Sequence, residues 1–166
     1  DYRKTLRIWD EQQVLSDIVR VIRKFRPDVL ITRFSPIPGR THGHHTASTV
    51  LALEAFKLAG DPKAYPEQRL QPWQPLRILW NESIYQKDDI GGTQQVRINV
   101  GGDDPVSGES FAEIAGRSRS MHKTQGFNNF TIPGGPRFET FQLLDGASMT
   151  NDVLDGVDTT WSRVSG

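Results

Sequence analysis

The chain has 166 residues, 36% of them hydrophobic, which is enough for one domain with a real core. Lys plus Arg and Asp plus Glu both number 20, so no net charge draws the chain to nucleic acid or an anionic membrane, and no apolar run approaches the roughly 20 residues of a membrane span. Cysteine is absent, which excludes disulfides and thiolate metal sites and leaves any metal to His, Asp or Glu.

The chain opens on Asp1-Tyr2-Arg3-Lys4-Thr5, with no initiator Met, signal-like apolar segment or first strand. That reads as the interior of a longer protein, whose targeting signal would lie upstream. The lack of cysteine is compatible with an exported or periplasmic location. Asp10 suits an N-cap, with Glu11 in the first turn. Val14, Ile18, Val21, Ile22 and Phe25 then recur at helical spacing and predict the inward face, with Arg20, Arg23 and Lys24 opposite. Pro27 stops this helix near Arg26. Residues 29–34 predict a strand buried on both faces of a parallel sheet. Helix, turn and strand make half of a βαβ unit.

A Gly/Pro loop (35–39) leads into Arg40-Thr41-His42-Gly43-His44-His45, which holds three of the four histidines. An enclosed helix follows to about Ala59, with Gly60 at its C-terminal cap position. His42 and His45, spaced i, i+3 at a helix start, put both imidazoles on one side, able to approach one ion or one substrate. The helix N-terminus disfavours imidazolium and keeps the rings able to ligate. It also repels a cation, so a metal there needs carboxylates from elsewhere. The same cluster is equally compatible with a solvated loop that picks up metal adventitiously.

Residues 63–75 read as a surface loop, 76–81 as a short strand and 86–93 as a loop. Val96, Ile98 and Val100 alternate with polar residues as in a half-buried strand. Residues 110–125 predict a helix with Phe111, Ile114, Ala115 and Met121 inward. Beyond Gly126 the order weakens, apart from a strand over 138–144.

Asp28-Val29-Leu30-Ile31-Thr32, the Gly/Pro loop, His42-Gly43-His44-His45 and the Ala-rich helix together resemble the LmbE-like/PIG-L family of zinc-dependent de-N-acetylases. That family's second motif reads His-Pro-Asp-His; Gly43 and His44 stand here in place of Pro-Asp. Residues 118–126, containing His122 and Gln125, are similar to its later His-x-Ser/Thr-Gln segment. The resemblance spans about residues 10–126. It implies an α/β, Rossmann-like three-layer α/β/α fold with a mostly parallel sheet, incomplete on its N-terminal side. Residues 1–166 would be one domain, part of a longer deacetylase-like domain, with 127–166 less regular. It implies a zinc hydrolase that removes an N-acetyl group from an amino-sugar-like small molecule. His45 would be a zinc ligand and His42 the group that stabilises the tetrahedral intermediate or protonates the leaving amine.

The family's first motif, His-Pro-Asp-Asp-Glu, is absent. The pairs Asp88-Asp89 and Asp103-Asp104 have no His before them. The resemblance therefore implies that the other zinc ligands and the general base lie upstream of Asp1, and that this chain alone is catalytically incomplete. Arg40 stands where some members carry an oxyanion-donating Tyr and is equally readable as a solvated loop Arg. Arg33 points toward the carboxyl edge of the sheet or pairs with an Asp. His122 and Gln125 would line the substrate pocket. Trp73, Trp80, Tyr85 and Trp161 could stack on sugar rings, with Trp80 the one favoured for the core. Two rival readings are a non-catalytic carbohydrate-binding module on the same fold and another metal hydrolase such as a phosphoesterase. Self-association is left open.

Overall fold

A computed structural model describes residues 1–82 and 94–161. Tyr85 and the Asp88-Asp89 pair lie outside the described residues. Among the described residues the architecture is α/β, with four helices and a four-stranded sheet, compatible with a Rossmann-like fold. The chain divides into two compact units, residues 1–96 with 140–166, and residues 97–139. No helix among the described residues is long and apolar enough to cross a membrane.

The first unit begins with helix α1 (Tyr2–Trp9), which the sequence reading passed over. The Asp1 side chain caps it by accepting from the Arg3 amide at 3.0 Å, and Leu6 anchors it in the core. Asp10, at φ 58°, ends α1 and caps α2 (Glu11–Phe25) by accepting from the Gln13 amide. Two apolar registers compete in α2, one residue apart. The structure buries Leu15, Val19 and Ile22, and leaves Val21 63% and Phe25 79% exposed. Of the predicted inward face, Ile22 is buried and Val14 and Ile18 pack partly buried against the core, while Val21 and Phe25 fall outside it because the buried face is centred on Leu15 and Val19.

The same helix carries Arg23 into the core, although its charge placed it outside. Arg23 is 5% exposed and donates to the carbonyls of Leu58, Ala59 and Asp61 at 2.8–3.1 Å. Those carbonyls end helix α3 (Gly43–Gly60), where backbone acceptors lack intrahelical donors. A fork of fixed N–H donors suits them, and their partial negative charge favours the cation. Helices α1, α2 and α3 pack around Leu6, Leu15, Val19, Ile22, Ala47, Leu51, Ala55 and Ala59, with Leu30 of the sheet against this cluster.

Strand β1 (Val29–Thr32) pairs in parallel with β2 (Arg77–Glu82), and β2 pairs antiparallel with β4 (Phe138–Gly146). The order is β1-β2-β4-β3, with β3 at Gln95–Asn99. The sheet is thus mixed rather than mostly parallel, because the last connection returns the chain the other way. Burial on both faces belongs to β2, where Arg77 to Trp80 are all buried, Trp80 completely. β1 is an edge strand with Ile31 54% exposed, which corrects the two-sided burial expected of it.

Arg77 repeats the device of Arg23. It is 1% exposed and donates to the carbonyls of Ala147, Ser148, Val153 and Asp155 at 2.5–3.1 Å. The Asp155 carboxylate in turn accepts from the amides of Thr150, Asn151 and Asp152. Those amides, Asn151 foremost, hold its pKa below the usual aspartate value, with the Arg77 charge a smaller contributor.

In the second unit, helix α4 (Phe111–Ser120) starts with a capping box between Ser110 and Glu113. Its buried face is Ala112 and Gly116, whereas Phe111 and Met121 are 46% and 69% exposed. A Cβ on Gly116 would lie 3.2 Å from the Ile132 amide, so residues 130–132 pass close over a face of small residues. The helix ends five residues earlier than predicted, and a 3-10 turn (Lys123–Gln125) follows.

Arg23→Met keeps the stem volume and leaves three carbonyls without their donor. It should lower unfolding free energy by ~2–3 kcal/mol, read from urea denaturation; an unchanged midpoint would show that water replaces the guanidinium. Asp155, with its lowered pKa, lends its stability above the ordinary carboxylate range and loses it as pH falls through that lowered value. Amide exchange at Thr150 and Asn151 should therefore accelerate below roughly pH 4, and Asp155→Asn should abolish that pH dependence.

Candidate metal centre

The site forms where β1 hands over to α3, at the carboxyl edge of the β1–β2 pair. Such edges are where open α/β sheets bind ligands. Two contacts fix the junction. The Thr49 hydroxyl, in the second turn of α3, donates to the Phe34 carbonyl at 2.8 Å. The Phe34 ring lies parallel to the His45 imidazole, with centroids 3.7 Å apart and planes 2° apart. His42 occupies the N-cap position, and its carbonyl accepts from the amides of His45 and Thr46 at 3.0 and 3.2 Å. Its side chain makes no capping bond. The Thr41 and Thr46 hydroxyls, 3.0 Å apart, tie the loop to the first turn.

The first turn brings together His42, His44 and His45, each offering a ring nitrogen within 4.8 Å of the others. Three nitrogens bound to one zinc at about 2.0–2.1 Å would stand roughly 3.3 Å apart, a gap that modest side-chain rotation closes. Imidazole nitrogens are also donors that zinc accepts. His45 is half-buried, and His42 and His44 are exposed. The pKa of His45 is lowered, first by burial and then by its neighbours His44 and His42. The neutral ring is the form that ligates. His42 and His45 are nearly parallel at 5.4 Å, and His44 meets His45 edge-on at 4.3 Å.

The sequence-predicted residues divide. His42 and His45 converge as expected, and His44 joins them although the motif comparison treated it as a replacement. Phe34 was read only as the end of a strand; the interval from an aromatic at a strand's carboxyl end to the His cluster was the available signal. Arg33 donates to the carbonyl and side chain of Asn81, which ties β1 to β2. Arg40 is exposed on the turn before α3. His122 and Gln125 flank and end the exposed 3-10 turn of the second unit. Asp104 shapes a turn by accepting from Ser107. Trp73 donates from its indole to the Pro27 carbonyl and carries Arg26 over its ring, whereas Trp161 is exposed.

A cleft of about 360 Å³ opens beside this turn, lined by Thr41, Gly43 and Thr46 together with Pro38, Gly39 and the start of α1. A larger one, about 660 Å³, lies at the other end of β1 among Phe25, Arg26, Trp73 and Leu154. Volume and position disagree here. Neither cleft is lined by an imidazole, and the smaller one is the relevant one because Thr41, Gly43 and Thr46 of the histidine-bearing turn line it.

The chain is 35% identical over 72 residues to a 1D-myo-inositol 2-acetamido-2-deoxy-alpha-D-glucopyranoside deacetylase of Streptomyces scabiei, a stretch covering 43% of this chain and 22% of that protein. It is 34% identical over 76 residues to a mycothiol S-conjugate amidase of Streptomyces coelicolor, covering 45% and 26%. A deacetylase 1 of the same inositol glycoside from Catenulispora acidiphila is 25% identical over 172 aligned positions, covering 87% and 53%. The chain thus spans from about a fifth to about half the length of these curated relatives. No family model matches it.

Phe34→Ala should leave the fold intact and release the His45 ring. His45 should then react faster with diethyl pyrocarbonate, located by peptide mass spectrometry, while His44 reacts at its former rate. An unchanged His45 rate would show that Phe34 does not hold the ring.

Proposed function

We propose that this chain is part of a metal-dependent amide hydrolase that removes the N-acyl group from an amino-sugar conjugate, with zinc as the metal. The observation that carries the proposal is the convergence of three imidazoles on the first turn of α3, at the carboxyl edge of a parallel strand pair. The relatives, named as a deacetylase of a 2-acetamido-2-deoxyglucopyranoside and an S-conjugate amidase, support this reading.

His45 would hold the metal, since its ring is already oriented by Phe34 and burial lowers its pKa, which favours the ligating form. His44 is the neighbouring ligand. A metal bound there supplies Lewis acidity, polarising a carbonyl and acidifying water. The chain's own residues do the rest. His42, exposed at the N-cap, would donate to the departing amine a proton that the attacking water has given up. The α3 N-terminus favours negative charge developing on the carbonyl oxygen. Phe34 and Thr49 keep the turn in place. Among the described residues no carboxylate belongs to the imidazole group, so the proton acceptor for water comes from outside it.

The test is zinc content and acetate release in the full-length protein. Wild type should hold about one zinc per chain and release acetate from a 2-acetamido-2-deoxyglucoside. His45→Ala should lose the metal. His42→Ala should keep it and lose on the order of 10²-fold or more in kcat. Equal zinc in all three would remove His45 as a ligand. Absence of both zinc and hydrolysis would favour a carbohydrate-binding module instead, and phosphate release without acetate release a phosphoesterase.

A further inference from the structure

Glu82 ends β2 at the carboxyl edge and is the one carboxylate within β1 and β2. Its direction follows from register. Leu30 packs against the helix cluster, so its face of the sheet is the one the helices cover. Leu30 pairs with Ile78 and Thr32 with Trp80, and paired residues share a face. Side chains alternate along a strand, so Glu82 lies on the same face as Ile78 and Trp80. The irregularity in the β2–β4 pairing does not disturb this. It falls where Ile78 meets Asp145 and Leu79 meets Leu143, so the extra residue, Leu144, is on β4.

Its place along the strand also follows. Thr32 and Trp80 are side by side, and the Arg33–Asn81 bonds hold the strands together one residue further. Glu82 follows Trp80 by two residues as Phe34, whose ring carries His45, follows Thr32, so both lie at the carboxyl edge of the same strand pair. Glu82 is half-buried, and its carboxylate is not a member of the imidazole group. It therefore belongs to the edge that carries the metal centre without being part of the centre.

We infer that Glu82 is a specificity-determining residue of this site, whose carboxylate accepts hydrogen bonds from hydroxyls of the sugar bearing the N-acyl group. The inference rests on the function proposed above. An ionised carboxylate is an acceptor with two oxygens and matches a pair of adjacent hydroxyls. It attracts the ammonium of a deacylated amino sugar and disfavours anionic substrates.

Glu82→Gln and Glu82→Asp in the full-length protein test this. The readouts are steady-state deacylation of a 2-acetamido-2-deoxyglucoside, calorimetric binding of glucosamine, zinc content and Tm. Glu82→Gln should raise KM about tenfold and weaken glucosamine binding by a similar factor, as expected for loss of a charge-assisted bond. Its kcat should stay within about threefold of wild type, with zinc content and Tm unchanged, and Glu82→Asp should recover part of the loss. Wild-type KM and glucosamine affinity in Glu82→Gln would overturn the inference. So would a fall in kcat at constant KM, which makes Glu82 a proton-transfer group, or loss of zinc, which makes it a ligand. If Glu82→Gln fails to fold, wild-type affinity in Glu82→Asp together with wild-type KM overturns it, and a partial loss in both supports it. A wild type that binds glucosamine through Glu82 without deacylating would sink the proposed function and leave this inference standing. A wild type that does neither sinks both.

Discussion

The Phe34 carbonyl accepts the Thr49 hydroxyl, and the Phe34 ring supports the His45 imidazole. Between these two contacts the chain makes a ten-residue excursion through a Gly/Pro loop and returns to the strand it left. The excursion starts at the end of β1 and finishes at the start of α3, so its ends are fixed by the sheet and the helix cluster. That makes the first turn of α3 a defined place rather than a loop tip. Three imidazoles crowded on a mobile loop would scatter. Here one is pinned by an aromatic face, and the other two follow from helical geometry.

Fixing the far end of α3 falls to Arg23. Its guanidinium bonds the terminal carbonyls from within the core. A buried cation is costly unless its donors are used, and the acceptors at a helix C-terminus use them. Arg77 does the same for residues 147–155, folding the segment after β4 onto β2. By contrast the Lys57–Asp145 pair, at 3.4 Å with side chains 68% and 40% exposed, contributes little. Hydrogen-bonded buried arginines, more than surface ion pairs, tie helix to helix and tail to sheet.

The sequence was informative where one local signal dominated. Asp10 and Pro27 marked real helix ends, and the helix expected from about residue 110 does start there, because capping and proline act through adjacent backbone atoms. It misled where the outcome depended on distant partners. Val21 and Phe25 of α2 form a helical stripe as regular as the buried one, and only the position of α3 decides between them. Arg23 was expected on the outer face, and no role was read for Arg77, because nothing local announces carbonyls some 35 to 78 positions away. Phe111 and Met121 failed similarly: the passing 130–132 segment requires small residues, so it selected the Ala112–Gly116 face. At the site, His42 and His45 were legible from spacing. The Phe34 stack was not, since it links two elements across a loop.

Fold, cluster and relatives point to the same chemistry from different directions: a strand edge that collects ligands, a donor set suited to a borderline metal, and relatives named as a deacetylase and an amidase. All three meet in the orientation of one ring. Anomalous diffraction at the zinc edge, on crystals of the full-length protein grown with zinc, examines that orientation directly. The account predicts a single strong peak within bonding distance of the His45 imidazole, with the ring still flat against Phe34. A peak elsewhere with His45 turned into solvent, or no peak at this turn, would contradict it.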